Sequence, residues 1–100
     1  VRYLQQRGLK LVARNYRCRF GEIDLIMHDG ETLVFVEVRM RGSKDFGGAA
    51  ASIDSRKQAK LISTAQLYLA TLAHIPPCRF DVVLLNSPDN LEWVKNAFGA

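Results

Sequence analysis

Two short stretches, Gly21-Glu22-Ile23-Asp24-Leu25-Ile26 and Val34-Phe35-Val36-Glu37-Val38-Arg39, set carboxylates among β-branched and aromatic residues. Between them Asp29-Gly30 is a tight-turn dipeptide, so the two stretches read as one hairpin. Carboxylates that converge on one face of a hairpin suit hard divalent cations, Mg²⁺ or Mn²⁺ rather than zinc.

With the turn on Asp29-Gly30, His28 faces Glu31, Ile26 faces Leu33, Asp24 faces Phe35 and Glu22 faces Glu37. Side chains alternate along a strand, so this register sorts the hairpin into two faces. One carries Ile23, Leu25, Met27, Val34, Val36, Val38 and Met40, an apolar surface for a helix to cover. The other is apolar near the turn, with Ile26, Leu33 and Phe35, and charged at its far end, with Glu22, Asp24, Glu37 and Arg39. Asp24 and Glu37 are then diagonal neighbours, roughly 7–8 Å apart at their α-carbons, within common reach of one ion. Glu22 opposite Glu37 is a like-charge pair that a cation would relieve. The plainer alternative is a solvated strand end whose acids are balanced by nearby arginines.

Around the hairpin, Arg2–Arg7 reads as the end of a helix closed by Gly8, and Leu9–Cys18 as a first strand. Glu22–His28 and Thr32–Met40 are the hairpin strands. Gly42–Ser52, with three glycines and few anchoring residues, reads as a mobile loop. Asp54 or Ser55 caps a long helix that runs to about Ala73, with Leu61, Ile62, Ala65, Tyr68, Leu69 and Leu72 as its apolar stripe. Pro76-Pro77 stops the helix, and Arg79–Leu85 is a strand covered on both faces despite Asp81. A turn at Ser87-Pro88-Asp89-Asn90 leads to a last element over Leu91–Phe98. The order predicts one α/β domain over residues 1–100, with a mixed central sheet flanked by helices.

The bulk properties bound the function. The chain has 100 residues, 48% hydrophobic, and no apolar run long enough to span a membrane. Its first residues lack the apolar stretch of a signal peptide, which leads to the expectation of a cytoplasmic protein. Cys18 and Cys78 are not in a zinc spacing and suit a reducing compartment. His28 and His74 have no partner in the sequence that would make either a base or a ligand. The formal charge of +4 favours an anionic partner mildly. Its distribution says more. Arg14, Arg17 and Arg19, interleaved with Tyr16 and Phe20, lead into the acidic strand, and Arg39, Arg41 and Lys44 leave it. Arg56, Lys57 and Lys60 crowd the start of the long helix, where the dipole prefers acids and where cations make sense beside a bound anion. Taken together these residues suit a nucleic acid gripped by its phosphates, without base reading.

The same two stretches resemble the YraN family of small bacterial proteins. The likeness continues through Ala13-Arg14-Asn15-Tyr16-Arg17, Phe46-Gly47-Gly48, Arg56-Lys57-Gln58, Tyr68-Leu69, Arg79-Phe80-Asp81-Val82-Val83 and Asn96-Ala97-Phe98. That family is assigned to the restriction-endonuclease-like fold, whose signature is an Asp followed downstream by Asp/Glu-x-Lys. The resemblance implies a Mg²⁺- or Mn²⁺-dependent nuclease core acting on DNA, nearest among known enzymes to Holliday-junction resolvases. It makes Asp24, Glu37 and the Val38 carbonyl metal ligands, Glu22 an accessory acid, and Gln58 a polar residue near the site. It also admits a homodimer, two sites meeting two strands. Arg39 stands where the signature has lysine; its guanidinium stays charged and presents a broad fork, whereas a lysine is a compact ammonium. The family's additional N-terminal helix turn with its glutamate has no counterpart before Tyr3-Leu4, so a truncated N-terminal helix is expected.

Overall fold

A computed structural model describes residues 1–40, 53–87 and 90–99. The glycine-rich stretch 42–52, Arg41, Lys44 and the Pro88-Asp89 pair of the last turn lie outside them. Helix α1 (Arg2–Gln6) is followed by strands β1 (Lys10–Cys18), β2 (Gly21–Asp29) and β3 (Thr32–Met40), helix α2 (Ser55–Leu69), and strands β4 (Cys78–Ser87) and β5 (Asn90–Phe98). Gly8, at φ +95°, makes the left-handed exit from α1 that other residues adopt only with strain. Asp54 caps α2, its Oδ1 accepting the Lys57 N–H at 2.8 Å. The helix ends at Leu69, short of the expected Ala73, with single-turn hydrogen bonds from Thr71 and Leu72 N–H to the carbonyls of Tyr68 and Leu69. Among the described residues no helix is long and apolar enough to cross a membrane.

One five-stranded sheet in the order β1-β2-β3-β4-β5 makes this a mixed α/β fold. β1, β2 and β3 form an antiparallel meander, β3 and β4 are parallel, and β5 returns antiparallel at the edge. The hairpin register differs from the expected one by a single pair. Asp29 faces Thr32, so the turn is Gly30-Glu31, and His28 faces Leu33, Ile26 faces Phe35 and Leu25 faces Val36. Gly30 at φ +61° supplies the left-handed residue as the first turn position rather than the second. A slide of two residues preserves which side chains share a face, but it changes who stands opposite whom.

The sheet has a core on each side. Ile26, Leu33, Phe35, Phe80, Val82 and Leu84 pack beneath Leu61 and Ala65 of α2. Leu25, Met27, Val34, Val36 and Val83 pack with Leu4 and Leu9 beside α1. The long helix therefore covers the face bearing Ile26, Leu33 and Phe35, not the Leu25–Met27–Val34–Val36 face expected to receive it. The reason lies across the sheet. Tyr16, Tyr68, Phe35, Phe80 and Phe98 touch in succession from β1 to β5, with centroids 4.8–6.2 Å apart, so the larger aromatic surface lies on the α2 side. Thr64 fixes the helix further, donating to the Lys60 carbonyl at 2.8 Å and meeting the Cys18 thiol at 3.6 Å.

Asp81 ties the edge strand on. It is fully buried, and its carboxylate accepts from Arg79 Nε at 3.0 Å, Trp93 Nε1 at 2.9 Å and the Asn96 N–H at 2.9 Å. Asn96 is left-handed at φ +53°, and the β4–β5 register shifts between Phe80 and Val82, so Asp81 holds a bulge in β5. Arg79 reaches on to Asp29 at 2.9 Å, joining the network to the hairpin turn. Replacing Asp81 by Ala leaves an indole N–H, a backbone N–H and a guanidinium without their acceptor. We expect a loss of about 3–5 kcal/mol in urea unfolding followed by Trp93 fluorescence, with Asp81→Asn losing less.

Candidate metal centre

The inside–outside alternation slips at the same level in β1 and β2, and β1 slips once more between Leu11 and Ala13. Ala13 and Tyr16, three apart, both pack toward α2, as do Ile23 and Ile26. Arg14 pairs with Leu25 and Tyr16 with Ile23, so Asn15, at φ +51°, falls opposite Asp24. A left-handed residue there turns the strand between two faces. On the other side of β2 the ladder with β3 runs only as far as Leu25 and Val36. Asp24 thus occupies the point where β2 parts from β3.

Its carboxylate takes over from the ladder. Asp24 Oδ2 accepts the Val38 N–H at 2.8 Å. In a strand the N–H and C=O of one residue point to the same edge, so the Val38 carbonyl faces this gap too. Glu37, one residue earlier, is 6% exposed and borders a crevice lined by Ile23, Phe35 and Leu61. Its Oε2 is buried without a hydrogen bond, although Lys57 Nζ lies 3.4 Å away as an ion pair. Burial, then a hydrogen bond to Asp24 and the charge of Asp24, push the Glu37 carboxyl up from 4.5 to about 7, while Lys57 pulls the other way. A like charge beside a carboxyl disfavours its ionised form.

The arrangement fits a divalent cation in its donor chemistry. Asp24 and Glu37 bring two hard oxygen donors together, one with an unsatisfied buried atom, and the Val38 carbonyl faces the same gap. No third His, Cys, Asp or Glu among the described residues completes a side-chain cluster. Water would have to supply the remaining positions, as is usual for Mg²⁺.

The other expected site residues fall in different places. Glu22 is not opposite Glu37; it is paired with Arg17, Nε to Oε2 at 3.1 Å, on the outer edge of the hairpin. The Gln58 side-chain amide donates to the Ile53 carbonyl at 3.0 Å and so closes the entry to α2. Arg39 lies two residues beyond Glu37, on the same face of β3, and is half-buried. Arg14, Asn15, Asp24 and Val38 line an open groove of about 370 Å³. Arg19, Phe20, Arg56, Lys60 and Ser63 line a second, of about 390 Å³, with Arg19 stacked on Phe20 at 4.9 Å.

Lys57 is the residue whose place the sequence reading missed. Grouped there with Arg56 and Lys60 as a phosphate contact, it lies against Glu37, apart from the groove that those two line. The signal was its phase: Lys57 precedes Leu61 by four and Ala65 by eight, which puts it on the buried stripe. Arg56, Lys60 and Ser63 share a neighbouring stripe that faces the groove.

Comparison with known proteins adds a family. The sequence profile of the uncharacterised protein family UPF0102 matches residues 1–85. A UPF0102 protein of Janthinobacterium sp. (strain Marseille) is 58% identical over 98 residues, covering 98% of this chain and 79% of its own. Another from Nitrosomonas eutropha is 58% identical over 96 residues, covering 96% and 83%. A third from Cupriavidus metallidurans is 61% identical over 97 residues, covering 96% and 72%. Their names carry no activity.

The carboxyl pair makes stability depend on pH. Glu37 binds its proton more tightly folded than unfolded, so its contribution to stability is full below about 4.5 and is lost as pH rises through about 7. Without metal, unfolding free energy should fall by up to about 3 kcal/mol across that window. Urea unfolding of Glu37→Gln should show that fall removed; the same slope in both proteins would contradict it.

Proposed function

The chain belongs to the uncharacterised protein family UPF0102, and from that premise we propose that it is a divalent-metal-dependent nuclease of the restriction-endonuclease-like type. It hydrolyses phosphodiester bonds in DNA, branched or otherwise structured DNA included. One observation carries the reading: the β2–β3 ladder stops just before Asp24, and there a buried Glu37 oxygen without a hydrogen bond stands beside a second carboxyl.

Asp24, Glu37 and the Val38 carbonyl would hold Mg²⁺ or Mn²⁺. Bound there, the cation supplies Lewis-acid activation of a phosphoryl oxygen and a water of lowered pKa. The protein's own residues bring the phosphate to that point. Arg14, on the groove that Asp24 lines, pairs with the phosphate. Arg19, Arg56 and Lys60 grip the backbone along the second groove, an attraction without sequence preference that weakens steeply with salt. Arg39, close behind Glu37, adds positive charge where negative charge develops. The cytoplasm is the expected compartment, where Cys18 and Cys78 remain free thiols.

Arg39 in the lysine position favours a second reading, a nucleic-acid-binding domain without turnover. Branched, flapped and linear DNA incubated with the protein in Mg²⁺ and in Mn²⁺ separates the two. Cleavage by the wild-type chain, lost by about 10²-fold or more in Asp24→Ala and Glu37→Ala, is the expected result. Cleavage that survives Asp24→Ala would belong to a contaminant and end the nuclease reading. Binding without cleavage, with cleavage appearing in Arg39→Lys, would favour the second.

A further inference from the structure

Resting on the metal-dependent nuclease reading, we propose that Lys57 of α2 is the catalytic lysine of this site, supplied by the helix where the strand offers Arg39. The assignment stands on placement. Lys57 Nζ is 3.4 Å from Glu37 Oε2, and this carboxyl is hydrogen-bonded to Asp24, which in turn accepts the Val38 N–H. The lysine side chain is 42% exposed while Glu37 is 7% exposed, so the ammonium stands between the buried acid and solvent. A substrate phosphate that reaches Glu37 from solvent meets it.

The stem of Lys57 is well fixed for such a task. Its backbone N–H is bound by the Asp54 cap at 2.8 Å. One turn on, Leu61 is buried in the core and Thr64 is tied to Lys60 and Cys18. A positioned α-carbon with a flexible four-carbon stem delivers a compact charge over a short arc. The Lys57–Glu37 ion pair also explains a cost in the helix. The first turn of α2 has no acid, and its cations oppose the dipole. Arg56 and Lys60 answer that with the groove they line, whereas Lys57 points to the carboxylate. During hydrolysis the ammonium donates hydrogen bonds to the attacking water and to the phosphoryl oxygen on which negative charge builds. Its charge also competes with a metal for Glu37.

The test compares wild type, Lys57→Met, Lys57→Arg and, as a control on the far end of β1, Lys10→Met, each checked for folding by circular dichroism. Cleavage is read as separate kcat and KM, and Mn²⁺ affinity by titration without DNA. Lys57→Met should lose about 10²-fold or more in kcat with KM nearly unchanged, and Lys57→Arg should recover part of it. Mn²⁺ should bind Lys57→Met about three- to tenfold more tightly, because a competing charge is gone. Cleavage by Lys57→Met within about threefold of wild type, or a loss carried by KM alone, would overturn the assignment and leave Lys57 a counter-ion or a phosphate tether. If the wild-type chain cleaves nothing, the nuclease reading fails separately, and Mn²⁺ still decides Lys57: an unchanged affinity removes it from the site. Absence of Mn²⁺ binding by wild type overturns both.

Discussion

Past the Leu25–Val36 pair the β2–β3 ladder stops, and the Val38 N–H turns to the carboxylate of Asp24. A buried backbone donor must find an acceptor, and here the acceptor is a side chain instead of a strand. That substitution permits everything nearby. It lets β2 part from β3 without stranding an N–H, and it holds Asp24 at the mouth of the gap. It also leaves Glu37 facing inward from the last covered turn of β3. The slip in β1 and β2, with Asn15 left-handed across from Asp24, is the backbone counterpart of the same opening.

The opening brings like charges together, and the surrounding charges follow from that. Burial and Asp24 both act against ionising Glu37 and raise its carboxyl to about 7. Lys57 opposes this from the helix. A proton, an ammonium and a divalent cation are three ways of offsetting the same excess of negative charge. Lys57 supplies the second of these from α2. This makes the site a place of stored electrostatic cost, and a buried unsatisfied oxygen persists only where the surrounding packing imposes it.

That packing comes from the aromatic line beneath α2 and from the Asp81 network at the opposite edge. Stacking of Phe35, Phe80 and Phe98 sets the height of the helix above the sheet, and Thr64 with Cys18 sets its place along β1. Asp81 spends its hydrogen bonds on Arg79, Trp93 and Asn96, so it is a structural acid despite being the most buried carboxylate described. Two acids on neighbouring strands therefore have opposite characters. Asp81 is fully partnered, and Glu37 is not.

Most of the elements were legible in residue order, because their signals are local: Gly8 ending α1, Asp54 capping α2, alternation along the hairpin strands. So was the closeness of Asp24 to Glu37, though the slip at Asp24 and the end of the ladder before it lay beyond any parity argument. The direct partner of Glu37 was not legible. Asp29-Gly30 and Gly30-Glu31 both offer a glycine to the turn, and only the closed ladder chose between them. Nor could alternation say which face α2 covers, because both faces are apolar and the choice rests on aromatic rings from β1, β4 and β5. Lys57 is the sharpest case. Its position on the buried stripe was written in the sequence, but a lysine at the edge of a stripe can bend to solvent or reach inward. Only the tertiary structure, by setting a buried carboxylate 3.4 Å from its ammonium, decided between them.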